Sequence, residues 1–239
     1  METNALKTLW TECFGNEDGW IDTFLRTAFD PAHLRMLTRQ DRPAAALVWM
    51  DAFCGGRKLA YLYGIATHPD FRGQGLCREL MTWTHRELAR LGYAGTILVP
   101  ADSGLRQMYK NMGYENFGGI RKIPAQADDP ISVRKISPEE YASLRREYLP
   151  AGGVVQENGA ERYLAACADL YAGKDFLLAM SPDGFGVELL GNSGTAPGIL
   201  GTLGLAEGTF RVPGEEPFAM FRPLTQENWK PGYFGLAFE

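Results

Sequence analysis

The sequence has few cysteines, no excess of positive charge and no long apolar run. Its four cysteines, Cys13, Cys54, Cys77 and Cys167, are widely spaced and form no metal-ligand or redox pattern. This spacing favours free thiols in a reducing cytoplasm and predicts no metal site. The net charge of -5 leaves no basic excess to neutralise nucleic-acid phosphates, and the apolar runs are too short to span a bilayer. We therefore expect a cytoplasmic protein without nucleic-acid or membrane partners.

The composition is that of a globular protein with a sizeable core. Of the 239 residues, 45% are hydrophobic and 22% are charged, which is close to the average of folded domains. The length allows one large domain or two of ordinary size. Residues 1–15 carry apolar positions at helical spacing, so we expect an amphipathic helix there and no secretory leader.

Apolar periodicity predicts an α/β order of elements in the first half. Helices over residues 5–14 and 20–29 are followed by strands over residues 33–38, 44–53 and 58–67, which "RQDRP" and "CGGR" join into an antiparallel meander. A glycine turn and a long helix come next. The strand "AGTILVP", the helix "DSGLRQMYKNMG" and the strand "YENFGGIRKI" complete the order ααβββαβαβ.

The polar, proline-bounded segment "PAQADDP", residues 124–130, predicts a linker between two domains, residues 1–124 and 131–239. The second domain begins with the strand "ISVRKI" and the helices "SPEEYASLRREY" and "AERYLAACADLY". The strands "FLLAM" and "FGVELL" and a short glycine-rich helix come next. The remaining extended segments are "TFRV", "FAMFRPL" and "YFGLAFE".

The turn "RGQGLC", which begins at Arg72, has the features of an anion-binding loop. Glycines let a ligand approach the backbone closely, the helix that follows begins with unpaired N–H groups, and Arg72 adds a positive charge. The dinucleotide fingerprint is excluded because Arg78 stands where its third glycine is required, and the triphosphate loop is excluded because its lysine and hydroxyl are missing. Pyrophosphate binding is the remaining functional interpretation, and a plain strand-to-helix turn is the alternative.

Two segments together resemble the GNAT superfamily of acyl-CoA-dependent N-acyltransferases. "GIATHPDFRGQG" is similar to the family's motif A, whose loop reads R-x-x-G-x-(G/A), and "LVPADSGLRQMYKNMGY" is similar to its motif B. The resemblance extends to about residue 123. The sequence departs from the motifs at two positions: Cys77 replaces a glycine or alanine, and Asp102 replaces the usual asparagine.

The resemblance implies a fold, a co-substrate and a site. The implied fold is α/β (α+β), a GNAT fold in which helices flank a mixed, mostly antiparallel sheet, followed by a smaller, degenerate GNAT-like unit. The strand before the loop would separate from its neighbour and bind the pantetheine arm of acetyl-CoA, the loop amides would hold the pyrophosphate, and Tyr109 matches the position of the general acid. The implied cofactor-binding residues are Ile65, Ala66, Thr67, Arg72, Gly73, Gln74, Gly75, Leu76, Cys77 and Asp102.

The implied activity is that of an N-acetyltransferase, which moves the acetyl group from acetyl-CoA to a primary amine by direct attack on the thioester. The acceptor would be a small-molecule or protein amine, and the acidity of the chain suits a cationic one. A homodimer is compatible with the resemblance. The alternative is a non-catalytic acyl-CoA-binding sensor or scaffold. No general base is assigned. Tyr61 and Tyr63 are interpreted either as lining the acceptor cleft or as half-buried strand aromatics, and His68 is interpreted as a turn residue. Glu239 is a candidate by similarity to relatives that use a C-terminal carboxylate, and a strand that ends at the surface is the favoured alternative.

Overall fold

The computed structural model describes residues 2–17 and 19–238, and within them it has seven α-helices and twelve strands. The helices are α1 (Glu2–Phe14), α2 (Trp20–Thr27), α3 (Leu76–Arg90), α4 (Ser103–Lys110), α5 (Pro138–Tyr148), α6 (Gly159–Cys167) and α7 (Ala196–Leu203). The strands are β1 (Leu34–Arg39), β2 (Arg42–Cys54), β3 (Arg57–Thr67), β4 (Gly95–Leu98), β5 (Glu115–Gln126), β6 (Arg134–Lys135), β7 (Val155–Gln156), β8 (Asp169–Ala172), β9 (Phe176–Met180), β10 (Phe185–Gly191), β11 (Glu207–Pro213) and β12 (Glu216–Pro223). The predicted order ααβββαβαβ is confirmed through β5.

In the described chain, none of the helices is both long enough and apolar enough to cross a membrane.

One sheet runs through the described chain. Its strand order is β1-β2-β3-β4-β12-β5-β11-β10-β9-β8-β6, and β7 pairs with β2 beside this path. Neighbouring strands are antiparallel except at β3 with β4 and at β10 with β11, which are parallel. The predicted class, a mixed and mostly antiparallel sheet flanked by helices, is confirmed.

The strand β12 lies between β4 and β5, although it comes near the end of the chain. It pairs with β4 from Met220↔Leu98 to Pro223↔Gly95, and its other edge pairs with β5. The far edge of β5 pairs with β11. The last strands of the two halves are therefore adjacent, and each also pairs with a strand of the other half. The division into residues 1–124 and 131–239 stays a prediction, because the sheet is continuous across it.

Four segments differ from the prediction, because pairing or burial outweighs the local sequence pattern. Residues 124–126, predicted as the start of a linker, belong to β5 and pair with β11. Residues 169–171, predicted as the end of a helix, belong to β8 and pair with β9. The predicted strand "ISVRKI" is a strand only at Arg134–Lys135. Residues 233–238 form no strand: Tyr233 makes one isolated bridge to Gly153, and the apolar residues after it, such as the buried Phe234, pack into the core.

The alternation of side chains along β2 divides them between two cores. Ala46 and Val48 pack with residues of α1 and α2 on one face, whereas Leu47 and Trp49 pack with residues of α3 on the other. This is the two-residue period of a strand that is buried on both faces. As a result, the glycine turn that begins α3 lies on the same face of the sheet as α4, which contributes Tyr109 to the second core.

A buried ion pair attaches the end of the described chain to the second half. The Nε and Nη2 atoms of Arg145 lie 2.6 and 3.0 Å from the carboxylate oxygens of Glu188, which is fully buried. The hydroxyl of Tyr233 donates to the same carboxylate at 3.1 Å. Because a buried charge is stable only when it is paired and hydrogen-bonded, this network holds α5, β10 and the segment after β12 in one arrangement.

A buried polar chain connects α3 to the sheet. The Nε2 atom of His85 lies 2.8 Å from the hydroxyl of Tyr114, which lies 2.8 Å from the hydroxyl of Thr96. Burial, with a smaller contribution from the positive charge of Arg222, lowers the pKa of His85 from 6.5 to about 4. The imidazole is therefore neutral in the folded protein at neutral pH.

This lowered pKa predicts acid sensitivity. Below pH 6.5 the unfolded chain binds a proton at His85 that the folded protein takes up only near pH 4, so the free energy of unfolding falls by roughly 3 kcal/mol between pH 7 and pH 4 through this residue. Urea unfolding of the wild type and of His85→Gln at both pH values measures this difference. His33→Gln, at a partly exposed histidine, is the control. An equal loss in the wild type and in His85→Gln would contradict the expectation.

Candidate active site

A bulge in β3 changes the direction of the strand just before the glycine turn. Ala46 pairs with Ala66 and Val48 pairs with Tyr63, so two residues of β3 lie opposite one residue of β2. One of the two is Gly64, whose φ of +58° favours glycine. The indole Nε1 of Trp10 in α1 donates to the carbonyl oxygen of Gly64 at 2.8 Å. The bulge is therefore fixed by a helix on the opposite face of the sheet.

The strands β3 and β4 separate after a short parallel contact. They pair only at Leu59↔Gly95, Ala60↔Thr96 and Tyr61↔Ile97. The strand β3 then continues to Thr67, while β4 ends at Leu98. The edge of β3 that faces β4 is consequently open beyond the bulge. A cleft of about 690 Å³ lies along it, between this edge, the glycine turn and α4.

The glycine turn adopts the conformation expected of an anion-binding loop. Gly73 and Gly75 have φ values of +76° and +77°, and no atom lies within 4 Å of a Cβ built at either position. Glycine is therefore required here by the backbone conformation, and the space next to both residues is open to a ligand. Gly75 caps the N-terminus of α3 without any side-chain hydrogen bond, so the first N–H groups of the helix stay available to an anion.

Arg72 and His68 hold the loop in place. The Nε of Arg72 donates to the carbonyl oxygen of Thr67 at 3.2 Å, across the turn. The Nδ1 of His68 accepts a hydrogen bond from the amide of Asp70 at 3.1 Å and so caps the short 3-10 turn Pro69–Phe71. The backbone amide of His68 pairs with Ala44 of β2. Because backbone groups alternate along a strand, those of Thr67 point away from β2 and toward the cleft.

Tyr109 lies in the wall of the cleft opposite the loop. Its side chain is only 5% exposed, and burial, followed by the nearby Cys77 and Asp102, raises the pKa of its phenol well above the usual range. The phenol therefore stays protonated at neutral pH and is able to donate a proton or a hydrogen bond. Burial also raises the pKa of the Cys77 thiol, which makes that thiol a packing group here.

Asp102, one of the two departures from the motifs, has a structural role. Its carboxylate accepts a hydrogen bond from the amide of Leu105 at 2.7 Å and caps the N-terminus of α4. Aspartate and asparagine are nearly equivalent in this position. The replacement therefore preserves the start of the helix that carries Tyr109.

The structure brings the predicted site residues together with one exception. Gln74 is exposed and does not line the cleft. The predicted residues in the lining are Ile65, Ala66, Thr67, Arg72, Gly73, Gly75, Leu76, Cys77, Asp102 and Tyr109. Their contacts to a ligand stay predictions. The pattern did not predict the apolar lining residues Cys13, Phe14, Phe71, Leu105, Met108 and Met112 or the charged Arg78. For Leu105 and Met108 a signal was available in the sequence, because they are apolar residues at helical spacing within α4.

The tyrosines considered for the acceptor side lie on the other face of the sheet. Tyr61 and Tyr63 pack in the core that contains α1 and α2, and the ring of Phe238 lies 6.4 and 6.5 Å from theirs. The hydroxyl of Tyr63 is 3.4 Å from that of Tyr163, and burial raises the pKa of Tyr63 far above its usual value. The second half of the chain therefore contributes to this aromatic cluster. Glu239 lies outside the described residues. The part of the chain that is described contains no group of three or more metal-binding side chains.

The bulge predicts a marked effect of a single methyl group. A Cβ at Gly64 would lie 2.2 Å from the ring of Trp10, so we expect Gly64→Ala to reduce the free energy of unfolding by roughly 3 kcal/mol or more. The matched control is Gly56→Ala in the β2–β3 turn, where φ is +74° and no atom lies within 4 Å. Backbone strain alone costs about 1 kcal/mol there. Equal losses in urea unfolding would show that the contact with Trp10 does not constrain the bulge.

Comparison with known protein families finds a match in the first half of the chain. Residues 1–117 match the family model described as "Acetyltransferase (GNAT) domain". No curated protein sequence matches the chain.

Solved structures share the fold over most of the chain. A GCN5-related N-acetyltransferase from Anabaena variabilis is 14% identical, with a TM-score of 0.69 over 93% of this chain and 70% of that chain. A GCN5-related N-acetyltransferase from Kribbella flavida is 18% identical, with a TM-score of 0.68 over 93% and 68%. Eis1 from Mycobacterium abscessus is 13% identical, with a TM-score of 0.67 over 93% and 71%. At these identities the likeness shows the fold alone.

Proposed function

We propose that this protein, whose residues 1–117 match the model of a GNAT acetyltransferase domain, transfers an acetyl group from acetyl-CoA to a primary amine. The observation that carries the proposal is the position of Tyr109. Its protonated phenol lies in the same cleft as the open edge of β3 and the glycine turn. A carrier with a pyrophosphate and an extended amide-containing arm fits that combination, because the loop supplies N–H groups and positive charge and the strand supplies unpaired backbone groups.

The residues of the cleft suggest a division of roles. The amides from Arg72 to Cys77 would hold the pyrophosphate, and the backbone of Ile65 and Thr67 would bind the pantetheine arm. The acyl carbonyl would lie where β3 and β4 separate, near Ala66 and Leu98. A backbone N–H there would stabilise the developing negative charge on the carbonyl oxygen.

Acyl transfer with Tyr109 as the general acid accounts for every bond and proton. The nitrogen of the free amine bonds to the carbonyl carbon, the C–S bond breaks, and the leaving thiolate takes the proton of the phenol. The proton released from the acylated nitrogen restores the phenol. This role requires the tyrosine to be neutral before reaction, which agrees with its raised pKa.

The second half is proposed to be a degenerate GNAT-like unit that borders the acceptor side. Two observations support this. First, β10 and β11 form a parallel pair around α7, as β3 and β4 do around α3. Second, Tyr163 and Phe238 pack against Tyr63 on the face of the sheet opposite the cofactor cleft, and the acceptor would approach the separation of β3 and β4 from that face. The acceptor would be a small-molecule or protein amine in the cytoplasm, and the net charge of -5 favours a cationic one.

The pyrophosphate assignment predicts the effect of a loop variant. Arg72→Ala combined with Gly75→Val removes the positive charge and the left-handed glycine, so we expect CoA binding measured by calorimetry to weaken by on the order of a hundredfold or more. The matched control is Arg90→Ala combined with Gly92→Val at the other end of α3. It makes the same two changes, also at a positive φ without a nearby atom, and should bind CoA normally. Unchanged affinity in a folded loop variant would refute the assignment.

The acid assignment predicts a kinetic effect of Tyr109→Phe. We expect kcat for thiol release with a panel of amines to fall by about 10²- to 10⁴-fold, while the Kd of acetyl-CoA changes little, because the phenyl ring keeps its packing. Tyr114→Phe is the control, since that ring lies 5.8 Å away and its hydroxyl bonds to His85 and Thr96. An unchanged kcat in Tyr109→Phe would exclude the role. Binding of acetyl-CoA by the wild type without thiol release for any amine would favour a sensor or scaffold.

A further inference from the structure

A second cleft, of about 390 Å³, lies between α3, the end of α4 and β12. Three arginines line it, Arg78 and Arg86 from α3 and Arg222 from β12, together with the polar side chains of Thr82 and Asn111. We call this cleft the arginine groove. It lies outside the acyl-transfer site described above, and neither sequence motif contains Arg86 or Arg222.

The arginine groove has no compensating negative charge. No carboxylate lines it, and among the described residues none of its three arginines forms an ion pair. The carboxylates of α3 that lie nearest in sequence, Glu79 and Glu87, pair instead with arginines of β1. Three uncompensated guanidinium groups around one concave surface create a positive potential that suits a compact anion.

The buried end of the groove has an unused donor. Arg222 donates through one guanidinium nitrogen to the carbonyl oxygen of Met112. Its Nε is buried and has no hydrogen-bond partner among the described residues. A buried donor without a partner costs free energy, so the protein groups around Arg222 leave part of its hydrogen-bonding capacity unused.

The groove is continuous with the cleft that contains the glycine turn. Arg78 and Met112 line both. Arg78, Thr82 and Arg86 are four residues apart and therefore lie on one face of α3. The Cα atoms of Arg78 and Arg86 are about 12 Å apart by the helical rise, a distance that two arginine side chains span easily. If the pyrophosphate of a ligand lies at the start of α3, a second anionic group on the same ligand is within reach of the arginine groove.

We infer that the arginine groove binds the 3′-phosphate of CoA and makes the protein selective for CoA over 3′-dephospho-CoA. The inference rests on the proposed function, because it takes CoA as the ligand of the neighbouring loop. A phosphomonoester carries close to two negative charges at neutral pH and accepts several hydrogen bonds, and arginine forks match its geometry. The pyrophosphate loop cannot supply this selectivity, since both ligands contain the pyrophosphate.

The test compares both ligands by calorimetry at fixed ionic strength in the wild type, Arg86→Gln, Arg86→Lys and Arg90→Gln. Arg86 is exposed, so its replacement should not disturb folding. Arg90 is an exposed arginine on the same helix outside the groove and controls for the loss of one positive charge. We expect the wild type to bind CoA on the order of tenfold to a hundredfold more tightly than dephospho-CoA. Arg86→Gln should reduce that ratio severalfold by weakening CoA alone, Arg86→Lys should keep part of it, and Arg90→Gln should leave it unchanged.

Each result separates this inference from the proposed function. Equal affinity of the wild type for the two ligands would overturn the inference and leave the proposed function intact. An equal loss for both ligands in Arg86→Gln would also overturn it, because a general electrostatic effect does not distinguish the 3′-phosphate. If the wild type bound neither ligand, the pyrophosphate assignment would fail, and the inference would fail with it.

Discussion

The separation of β3 from β4 is the constraint on which the rest of the site depends. Two parallel strands that pair at only three positions leave one strand edge without a partner, and an open edge normally invites unwanted pairing. Here the bulge at Gly64, held by Trp10, turns β3 away from β4, while β12 takes the other edge of β4. The exposed edge is therefore short and lies in a cleft under α4, where a ligand rather than another chain can reach it.

Elements whose pattern is local could be predicted from the sequence. The meander of β1 to β3, the long helix α3 and the glycine turn follow from the two-residue and helical periods and from turn residues, and the structure has them close to the expected bounds. Where the prediction failed, the deciding interaction was distant in sequence. Residues 169–171 look helical by spacing but pair with β9, and residues 233–238 look like a strand but pack as an irregular segment.

The same distinction applies to the site. The motif residues line one cleft because the strand, the turn and the helix that carry them are consecutive, so their spacing in sequence determines their spacing in space. The arginine groove has no such signal, since Arg222 reaches it only because β12 lies between β4 and β5. The position of β12 depends on contacts between the two halves of the chain. No periodicity within β12 indicates it.

The placement of charge also explains how Asp102 is tolerated beside an anion site. A free carboxylate in the cleft would repel a phosphate, but this one accepts the amide of Leu105 and lies at the N-terminus of α4, where the helix dipole offsets negative charge. On the other side of the cleft, Arg72 and Arg78 provide positive charge, and the continuous arginine groove adds two further cations without any acid. The side chains that line the proposed phosphate positions are therefore mostly positive, and the carboxylate acts mainly on the helix that it caps. Since that helix carries Tyr109, the cap positions the proposed acid without removing the attraction for the ligand.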